Sequence, residues 1–362
     1  MGAPAAQASA TAELDRLPIA ELAHRARVEG RVTVYSFTSR ITKVEEAFET
    51  AYPGIDLVGH DLSSTQQVER LVAEAQAGVA DADVAYLSDA PVVLDELVGR
   101  GLLRRYVPPT VAGDLAAEHT EPLLAHRLST KVLMYNEATY PAGAPVRNLW
   151  ELTESAWRGR VILVDPLIRG DYLDLLTEMS LQSEALAEAY RQHTGRELTL
   201  DAGVPNAGEQ WIRRLFANTP VLVEDTDEVN ERIGATGQTA APIGFTSYSD
   251  RRDNADKGWA LQVAADVAPA PGIAFPALLG LTKEPPHPAA ARLLVGFLMG
   301  DGTPSGGPGW APFAAPGEYP TRRSTAAHPH ALSLDRLGAW TVDATATAAA
   351  RGRVAALVLE LR

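Results

Sequence analysis

The sequence predicts an α/β protein of two domains. The chain has 362 residues, and about 150 residues per domain suggests two domains or one two-lobed body. Short segments rich in β-branched residues alternate with segments in which apolar residues recur at helical spacing. The predicted strands are apolar along almost their whole length, which is typical of a parallel sheet covered by helices on both faces.

The first part of the chain predicts three strand–helix repeats. Helical spacing over residues 13–29 predicts a leading helix that ends at Gly30. The strands RVTVYSF, IDLVGHDL and ADVAYLSD are each followed by a helix, in ITKVEEAFETA, QQVERLVAEAQAG and APVVLDELVGRG. This order predicts one parallel sheet with its covering helices.

A second α/β unit is predicted over residues 135–258. The strands are expected in STKVLMYNEA, VILVDP, PVLVED and APIGFTSY, and the helices in NLWELTESAWRGR, GDYLDLLTEMSLQSEALAEAYRQ, GEQWIRRLFANT and DEVNERIGAT. Beyond it, WALQVAADVAPAPGIAFPALLGLT predicts extended crossing strands and PHPAAARLLVGFLMGD a buried helix. An irregular loop over residues 302–320 and a helix in TATAAARGRVAALVLELR complete the chain.

Charge and composition exclude several classes of function. Lys and Arg number 32 and Asp and Glu number 46, so the net charge is −14, which argues against a nucleic-acid partner because phosphate contacts need a basic face. The absence of cysteine excludes disulfides, thiolate metal sites, cysteine nucleophiles and iron–sulfur clusters. No apolar stretch approaches the ~20 residues that span a bilayer.

The N-terminal segment MGAPAAQASATAELDRLP has no basic region followed by an apolar one, so it predicts no intact signal peptide. Two interpretations stay open. The segment is either a small-residue tail left after cleavage and preceded by an added Met, or a disordered N-terminus of a cytosolic protein.

An ordered set of segments carries a resemblance to a known family. These segments are EGRVTVYSFTSR, FETAYPGIDL, DADVAYLSDAPVVLDELVGRGLLRRYVPP, VLMYN, WRGRVILVDP and GEYPTRRS. Over residues 20–324 the chain resembles the extracellular solute-binding proteins of ABC importers, in the branch with ferric-iron, phosphonate and sugar-phosphate binders. The resemblance implies a type 2 periplasmic-binding-protein fold, in which two α/β lobes with mixed or parallel sheets are joined by two crossing strands.

The same resemblance implies the domain boundaries and the mechanism. Lobe 1 is expected to contain residues 30–130 and 262–330, and lobe 2 residues 135–258, with a lead and helix over 1–29 and a helical tail over 331–362. Such a protein captures a small solute by closing its cleft and delivers it to an ABC permease in the membrane. We therefore expect a periplasmic or extracytoplasmic monomer without catalytic residues, cofactor or nucleic-acid partner.

Candidate solute contacts follow from a rule for open parallel sheets, whose ligands lie beyond the carboxyl ends of strands and near helix N-termini. Five predicted strand ends supply them. They are Ser36, Phe37, Thr38, Ser39 and Arg40 after the first strand; Asp89 after the third; Arg169, Asp171 and Tyr172 after VILVDP; Glu224, Asp225 and Thr226 after PVLVED; and Ser247 and Tyr248 after APIGFTSY.

Several of these residues also fit purely structural roles. The hydroxyl residues of the first loop and Asp89 fit helix caps, and Asp171 and Asp227 fit a favourable interaction with a helix dipole. Tyr248 is the strongest single candidate, because its ring can stack while its hydroxyl forms a hydrogen bond. Lys131 is a weaker candidate.

The charges at these strand ends predict a small polar solute that is anionic or zwitterionic. Arg40 and Arg169 suit a carboxylate, phosphate or phosphonate. The acids Asp171, Glu224, Asp225 and Asp227 suit an ammonium group, unless all of them serve as caps. Phe37 and Tyr172 would add an apolar wall.

Three alternatives stay open, and one of them is a scaffold or signalling receptor whose closed form is recognised by a partner other than a permease. The ferric binders of this family use a histidine in the first loop and adjacent tyrosines in lobe 2, whereas this chain has YSFTSR and a single tyrosine in SYSD. This departure argues against iron held directly by the protein and leaves a ferric chelate as an alternative ligand. An enzyme recruited from the same fold is the third alternative, although the sequence contains no recognised catalytic motif. His60 with Asp61 is the first pair to test.

Overall fold

The computed structural model describes residues 12–362, which divide into two compact units. The first unit contains the chain up to Leu128 with Pro276–Ala314 and Tyr319–Ala327, and the second contains Ser129–Phe275, Ala315–Glu318 and His328–Arg362. The lobe boundaries inferred from the sequence stay a prediction. The first eleven residues, which belong to the segment examined for a signal peptide, lie outside the described part.

The first unit contains three strand–helix repeats in the predicted order. Its elements are α1 (Ile19–Glu29), β1 (Arg31–Ser36), α2 (Ile41–Ala51), β2 (Asp56–Asp61), α3 (Ser64–Ala77), β3 (Val84–Leu87), α4 (Ala90–Val92), β4 (Leu103–Arg104), the first residues of β5 (Leu124–Asn136), the last residues of β10 (Gly272–Thr282), α10 (Pro288–Leu298), α11 (Gly307–Trp310) and β11 (Tyr319–Pro320). The sheet runs β2-β1-β3-β10, with the first three strands parallel and β10 antiparallel to β3.

Local sequence explains where these helices begin and end. Gly30 follows α1 with φ of 73°, a left-handed conformation that favours glycine, so the predicted stop is confirmed. A capping box begins α3, because Ser63 and Gln66 each bond the other's backbone N–H. The buried apolar residues of β1 and the helices, such as Val34, Phe48 and Leu294, form the core.

Three elements of the first unit differ from the sequence expectation. The leading helix expected from residue 13 is interrupted by a turn, and α1 begins at Ile19 after Pro18, which has no backbone N–H to continue a helix. The helix expected in APVVLDELVGRG continues after α4 as a π-helical turn over Val93–Val98. The loop expected over residues 302–320 contains α11, a 3₁₀ turn over Ala311–Phe313 and β11. Trp310 and Phe313 are buried, so tertiary packing orders a segment whose Gly and Pro content predicts irregular structure.

The second unit contains a mixed sheet of its own. Its elements are the rest of β5 and β10, β6 (Val161–Val164), α5 (Gly170–Leu181), α6 (Ser183–Thr194), α7 (Ala207–Ala217), β7 (Val221–Val223), α8 (Thr226–Gly234), β8 (Ile243–Thr246), α9 (Asn254–Lys257), β9 (Leu261–Val263), α12 (Leu334–Leu337), β12 (Trp340–Thr341) and α13 (Ala344–Leu361). The sheet runs β5-β8-β6-β7, in which β6 is parallel to β7 and β8, and β5 is antiparallel to β8.

The long helix expected after VILVDP is two helices, α5 and α6, which meet at Gln182. The Gln182 side chain donates to Glu178 Oε1 over 2.7 Å, and the Ser183 hydroxyl accepts from the backbone N–H of Ala207. These contacts turn the chain where helical periodicity alone would continue it. Across the described residues, no helix is both long and apolar enough to cross a membrane.

A close approach of α5 and α7 supports a stability prediction. A Cβ at Gly208 would lie 2.0 Å from the Met179 carbonyl oxygen, whereas a Cβ at Gly352 on α13 would meet nothing within 4 Å. Gly208→Ala should lower the free energy of unfolding by about 1–3 kcal/mol through overpacking. Gly352→Ala, the matched control, should raise it by about 0.5–1 kcal/mol. Urea unfolding followed by circular dichroism measures both, and equal midpoints for the two variants would contradict the close approach.

Candidate functional site

The first loop of the first unit is held by its own hydroxyl groups. Ser36 Oγ donates to the carbonyl of Thr38 over 3.0 Å and accepts from the Thr38 N–H. The N–H of Arg40, the residue before α2, donates to Thr38 Oγ1 over 3.4 Å. Arg40 itself is buried, and Ser39 is exposed. The structure therefore shows the local bonding expected of turn residues, and solute contact by this loop stays a prediction.

A buried arginine that the sequence reasoning missed lies beside this loop. The Arg127 side chain is 1% exposed, and its guanidinium carbon lies 4.7 Å from the ring centroid of Phe313 and 5.2 Å from those of Phe37 and Tyr86. Aromatic ring faces attract a cation and partly replace its water. The ring of Phe37, expected as an apolar wall, thus packs against Arg127. A basic residue inside the apolar strand β5 was the available sequence signal.

Asp89 lies where the sequence places it, immediately before α4, and its side chain is buried. The preceding residue, Ser88, joins this strand end to α3, because its hydroxyl lies 3.1 Å from Ser64 Oγ and its N–H donates to the same atom. The carboxyl end of β3 is therefore a polar, ordered position next to the β1 loop in the sheet.

The second unit brings four predicted residues together around Lys131. Lys131 Nζ lies 3.2 Å from Asp171 Oδ2 and donates to Ser247 Oγ over 2.8 Å. Arg169 contacts the same carboxylate, with its Nη2 atom 3.2 Å from Oδ2 and its Nε 3.4 Å from Oδ1. The ring of Tyr172 lies under the ammonium group, with its centroid 5.1 Å from Nζ. We call Lys131, Arg169, Asp171 and Ser247 the cation cluster.

The cation cluster contains one more positive charge than negative charge. Burial by itself raises the pKa of Asp171, but the charges of Arg169 and Lys131 outweigh it and hold the pKa below its ordinary value. Asp171 in turn raises the pKa of the Arg169 guanidinium. The side chains of Lys131 and Asp171 are each 4% exposed, while that of Arg169 is 29% exposed. Arg169 is therefore the most exposed of the three charged members of the cluster, and Ser247 is also partly exposed.

Most of the remaining predicted residues of this unit have structural partners. Asp225 caps α8, because its Oδ1 accepts from the Glu228 N–H over 2.9 Å, while Glu224 is exposed and Thr226 begins the helix. Tyr248 is 1% exposed, and its hydroxyl accepts from the Leu332 N–H over 3.3 Å. The Tyr172 hydroxyl donates to the carbonyl of Phe245, and burial raises its pKa. Solute contact by these residues stays a prediction.

Within residues 12–362, no group of three or more His, Cys, Asp or Glu side chains is arranged to hold a metal ion. His60, named for the enzyme alternative, packs its ring edge-on against Tyr35 at a centroid distance of 5.5 Å.

Comparison with known proteins identifies the family. Residues 32–303 match the sequence model of the family described as bacterial extracellular solute-binding protein. The chain belongs to this family. It is thus a solute-binding protein of an ABC importer, and the family is one of binding proteins rather than enzymes. None of the curated proteins compared matches the chain.

Solved structures show the same fold at low sequence identity. Iron-bound HitA from Pseudomonas aeruginosa is 17% identical, with a TM-score of 0.68 over 91% of this chain and 99% of HitA. The substrate-binding protein of an ABC transporter from Agrobacterium tumefaciens is also 17% identical, with a TM-score of 0.67 over 91% of this chain and 94% of its own. AfuA from Actinobacillus pleuropneumoniae, solved with fructose-6-phosphate, is 16% identical, with a TM-score of 0.66 over 91% of this chain and 97% of AfuA. The two-lobed fold expected from the sequence is confirmed.

The shared carboxylate of Asp171 supports a second stability prediction. Asp171→Asn leaves two cations without their counter-charge and should lower the free energy of unfolding by about 3–5 kcal/mol. The double variant Asp171→Asn with Lys131→Met removes the deeply buried cation as well and should recover most of this loss. Thermal melting at neutral pH tests both variants, and a double variant as unstable as the single one would refute this electrostatic account.

The pairing of Asp171 with Lys131 and Arg169 also predicts that the stability of the protein depends on pH. The pKa of Asp171 is lowered in the folded protein, so its contribution to stability is present above the ordinary carboxyl pKa of about 4 and is lost as the pH falls below it. The melting temperature of Asp171→Asn should therefore fall less steeply than that of the wild type between about pH 4 and pH 2. Equal slopes in a pH series of melting curves would show that Asp171 is not paired in solution.

Proposed function

We propose that this solute-binding protein captures a small anionic solute and delivers it to its permease. The observation that carries the proposal is the cation cluster, in which Lys131 and Arg169 share the single carboxylate of Asp171. An anionic group of the solute would balance the remaining positive charge. Arg169 is the partly exposed cation, and guanidinium groups bind carboxylates and phosphates through paired, charge-assisted hydrogen bonds.

Ser247 supports an anion by its hydrogen-bonding capacity. Its hydroxyl oxygen accepts from Lys131 Nζ, and a hydroxyl that accepts one bond still has a proton to donate. Ser247 and Arg169 thus offer donors from the end of β8 and the start of α5. Helix N-termini add a favourable field for a negative group.

A zwitterionic solute, whose ammonium group the predicted acids would bind, has less support than an anion. Asp171 is engaged by two cations, and Asp225 caps α8. Glu224 and Asp227 are exposed and are the acids that a zwitterionic solute would use. The geometry therefore favours an anion. A zwitterionic solute would need one more contact, between its ammonium group and an exposed acid such as Glu224.

A ferric chelate is the second candidate, because a chelator such as citrate presents carboxylates that the cation cluster could bind. The structures of HitA and AfuA contain iron and fructose-6-phosphate, respectively, and these two ligand classes set the range to be tested. Direct binding of iron has less support here, because SYSD supplies one tyrosine and the hydroxyl of Tyr248 already accepts a hydrogen bond from the chain.

Other parts of the proposal follow from the family. We propose that the lobes close on the solute, that the protein acts as a monomer outside the cytoplasm, and that it performs no catalysis. The predicted contacts of the first unit, the loop Ser36–Arg40 and Asp89, stay within this proposal.

A ligand screen tests the class of solute. Chelator-treated protein is melted with citrate, ferric citrate, inorganic phosphate, fructose 6-phosphate, glycine and putrescine, each in excess. A ligand at 100 times its Kd stabilises the native state by about 2.7 kcal/mol, which shifts the melting temperature measurably. We expect a shift with an anion and none with putrescine. A shift with ferric citrate but not citrate would favour the chelate, and a shift with putrescine alone would contradict the proposal.

Variants of the cation cluster test the site. Arg169→Gln should weaken binding of the anion that shifts the melting temperature by about 10- to 100-fold, the value of a lost charge-assisted hydrogen bond. Arg191→Gln is the matched control, because Arg191 pairs with Glu188 on the exposed face of α6. Isothermal titration calorimetry measures both. An unchanged Kd for Arg169→Gln would place the anion elsewhere.

A further inference from the structure

Helix α13 is tied to the rest of the second unit by ion pairs along its length. It packs against α5. Nη1 of Arg351 on α13 lies 3.2 Å from Oδ1 of the buried Asp174 on α5. Arg353 pairs with Glu209 of α7. Near the end of the helix, Glu360 pairs with Arg213 of α7 over 2.9 Å. These contacts dock α13 onto two helices and involve no residue of the cation cluster.

The pair formed by Arg362 is different, because it reaches a loop rather than a helix. Nη2 of Arg362 lies 2.5 Å from Oδ2 of Asp165, the residue that follows β6. The side chain of Asp165 is 9% exposed, so this charge is largely withdrawn from water. A carboxylate in that position needs a positive partner.

Asp165 builds the connection that leads to the cation cluster. Its Oδ1 accepts from the Leu167 N–H over 2.9 Å. Its carbonyl accepts from the N–H groups of Ile168, over 3.1 Å, and Arg169, over 3.2 Å. Arg169 then begins α5 through bonds from Tyr172 and Leu173 to its own carbonyl. The side chain and the backbone of Asp165 together shape the turn between β6 and α5, and this turn places Arg169 at the start of α5.

We infer that Arg362 is a positioning residue for the cation cluster. By binding Oδ2, Arg362 fixes the Asp165 carboxylate in the orientation that leaves Oδ1 for the Leu167 N–H, and the resulting turn holds Arg169 beside Asp171. Arg362 acts through Asp165 and is no solute contact itself. The inference rests on the proposed function for the role of Arg169 in binding, while the ordering of the loop stands on the contacts alone.

The chain offers a matched control for this role. Glu360 belongs to the same end of α13, and its pair with Arg213 is also solvent-accessible. Glu360→Gln therefore weakens docking of the helix without touching the loop, whereas Arg362→Gln removes the contact to Asp165. Arg362→Lys keeps a positive charge that can pair with Asp165 Oδ2 and should retain the function.

Hydrogen exchange followed by mass spectrometry tests the ordering without any ligand. In Arg362→Gln, the amides of residues 167–173 should exchange about threefold faster than in the wild type, because a partly exposed ion pair contributes modestly. Arg362→Lys and Glu360→Gln should keep the wild-type rates in this peptide. Unchanged exchange in Arg362→Gln, or equal acceleration in Glu360→Gln, would overturn the inference.

Titration with inorganic phosphate tests the consequence for binding. Arg362→Gln should raise the Kd for phosphate about threefold, with wild-type values in the other two variants. If the wild type binds no phosphate, this result counts against the phosphate-binding role of the cluster. Faster exchange in Arg362→Gln, but not in Arg362→Lys or Glu360→Gln, would still support the positioning of the loop by Arg362. Faster exchange with an unchanged Kd for phosphate would overturn the link between Arg362 and binding.

Discussion

The second unit depends on one buried carboxylate. Asp171 accepts contacts from Lys131 of β5 and from Arg169 at the start of α5, and Lys131 in turn donates to Ser247 after β8. Three segments that are distant in sequence thus meet at one charge. Removing such groups from water is costly unless each is paired, so any arrangement that separates these segments leaves a buried charge without its partner. Within the cation cluster, this pairing leaves one positive charge in excess.

The first unit also buries a cation, which packs against aromatic rings. Arg127 lies among the rings of Phe37, Tyr86 and Phe313, whose faces carry partial negative charge. This arrangement gives the guanidinium group a favourable environment through dispersion and quadrupole interactions. Arg127 packs against these rings and is 1% exposed, whereas the Arg169 side chain beside Asp171 is 29% exposed. Exposure distinguishes the two arginines, and Arg169 is the one that solvent reaches.

Much of the fold follows from local patterns in the sequence. Apolar strands, helical spacing and stop signals such as Gly30 predict the alternating order, because each of these patterns acts within a few residues. The rule that polar groups gather at the carboxyl ends of parallel strands finds Arg169, Asp171, Tyr172 and Ser247, since it needs only the strand ends. The ordered motifs further predict the family, which the match over residues 32–303 shows.

The tertiary structure decided which groups meet. Lys131 and Arg127 lie inside β5, where the sequence shows basic residues in an apolar strand but names no partner. Which groups pair depends on packing between segments tens or hundreds of residues apart. The same packing ends α5 at Gln182 and gives regular structure to the segment that contains Trp310 and Phe313. A strand end is a local property that the sequence determines, whereas the counter-charge that a buried group finds there is a property of the whole fold.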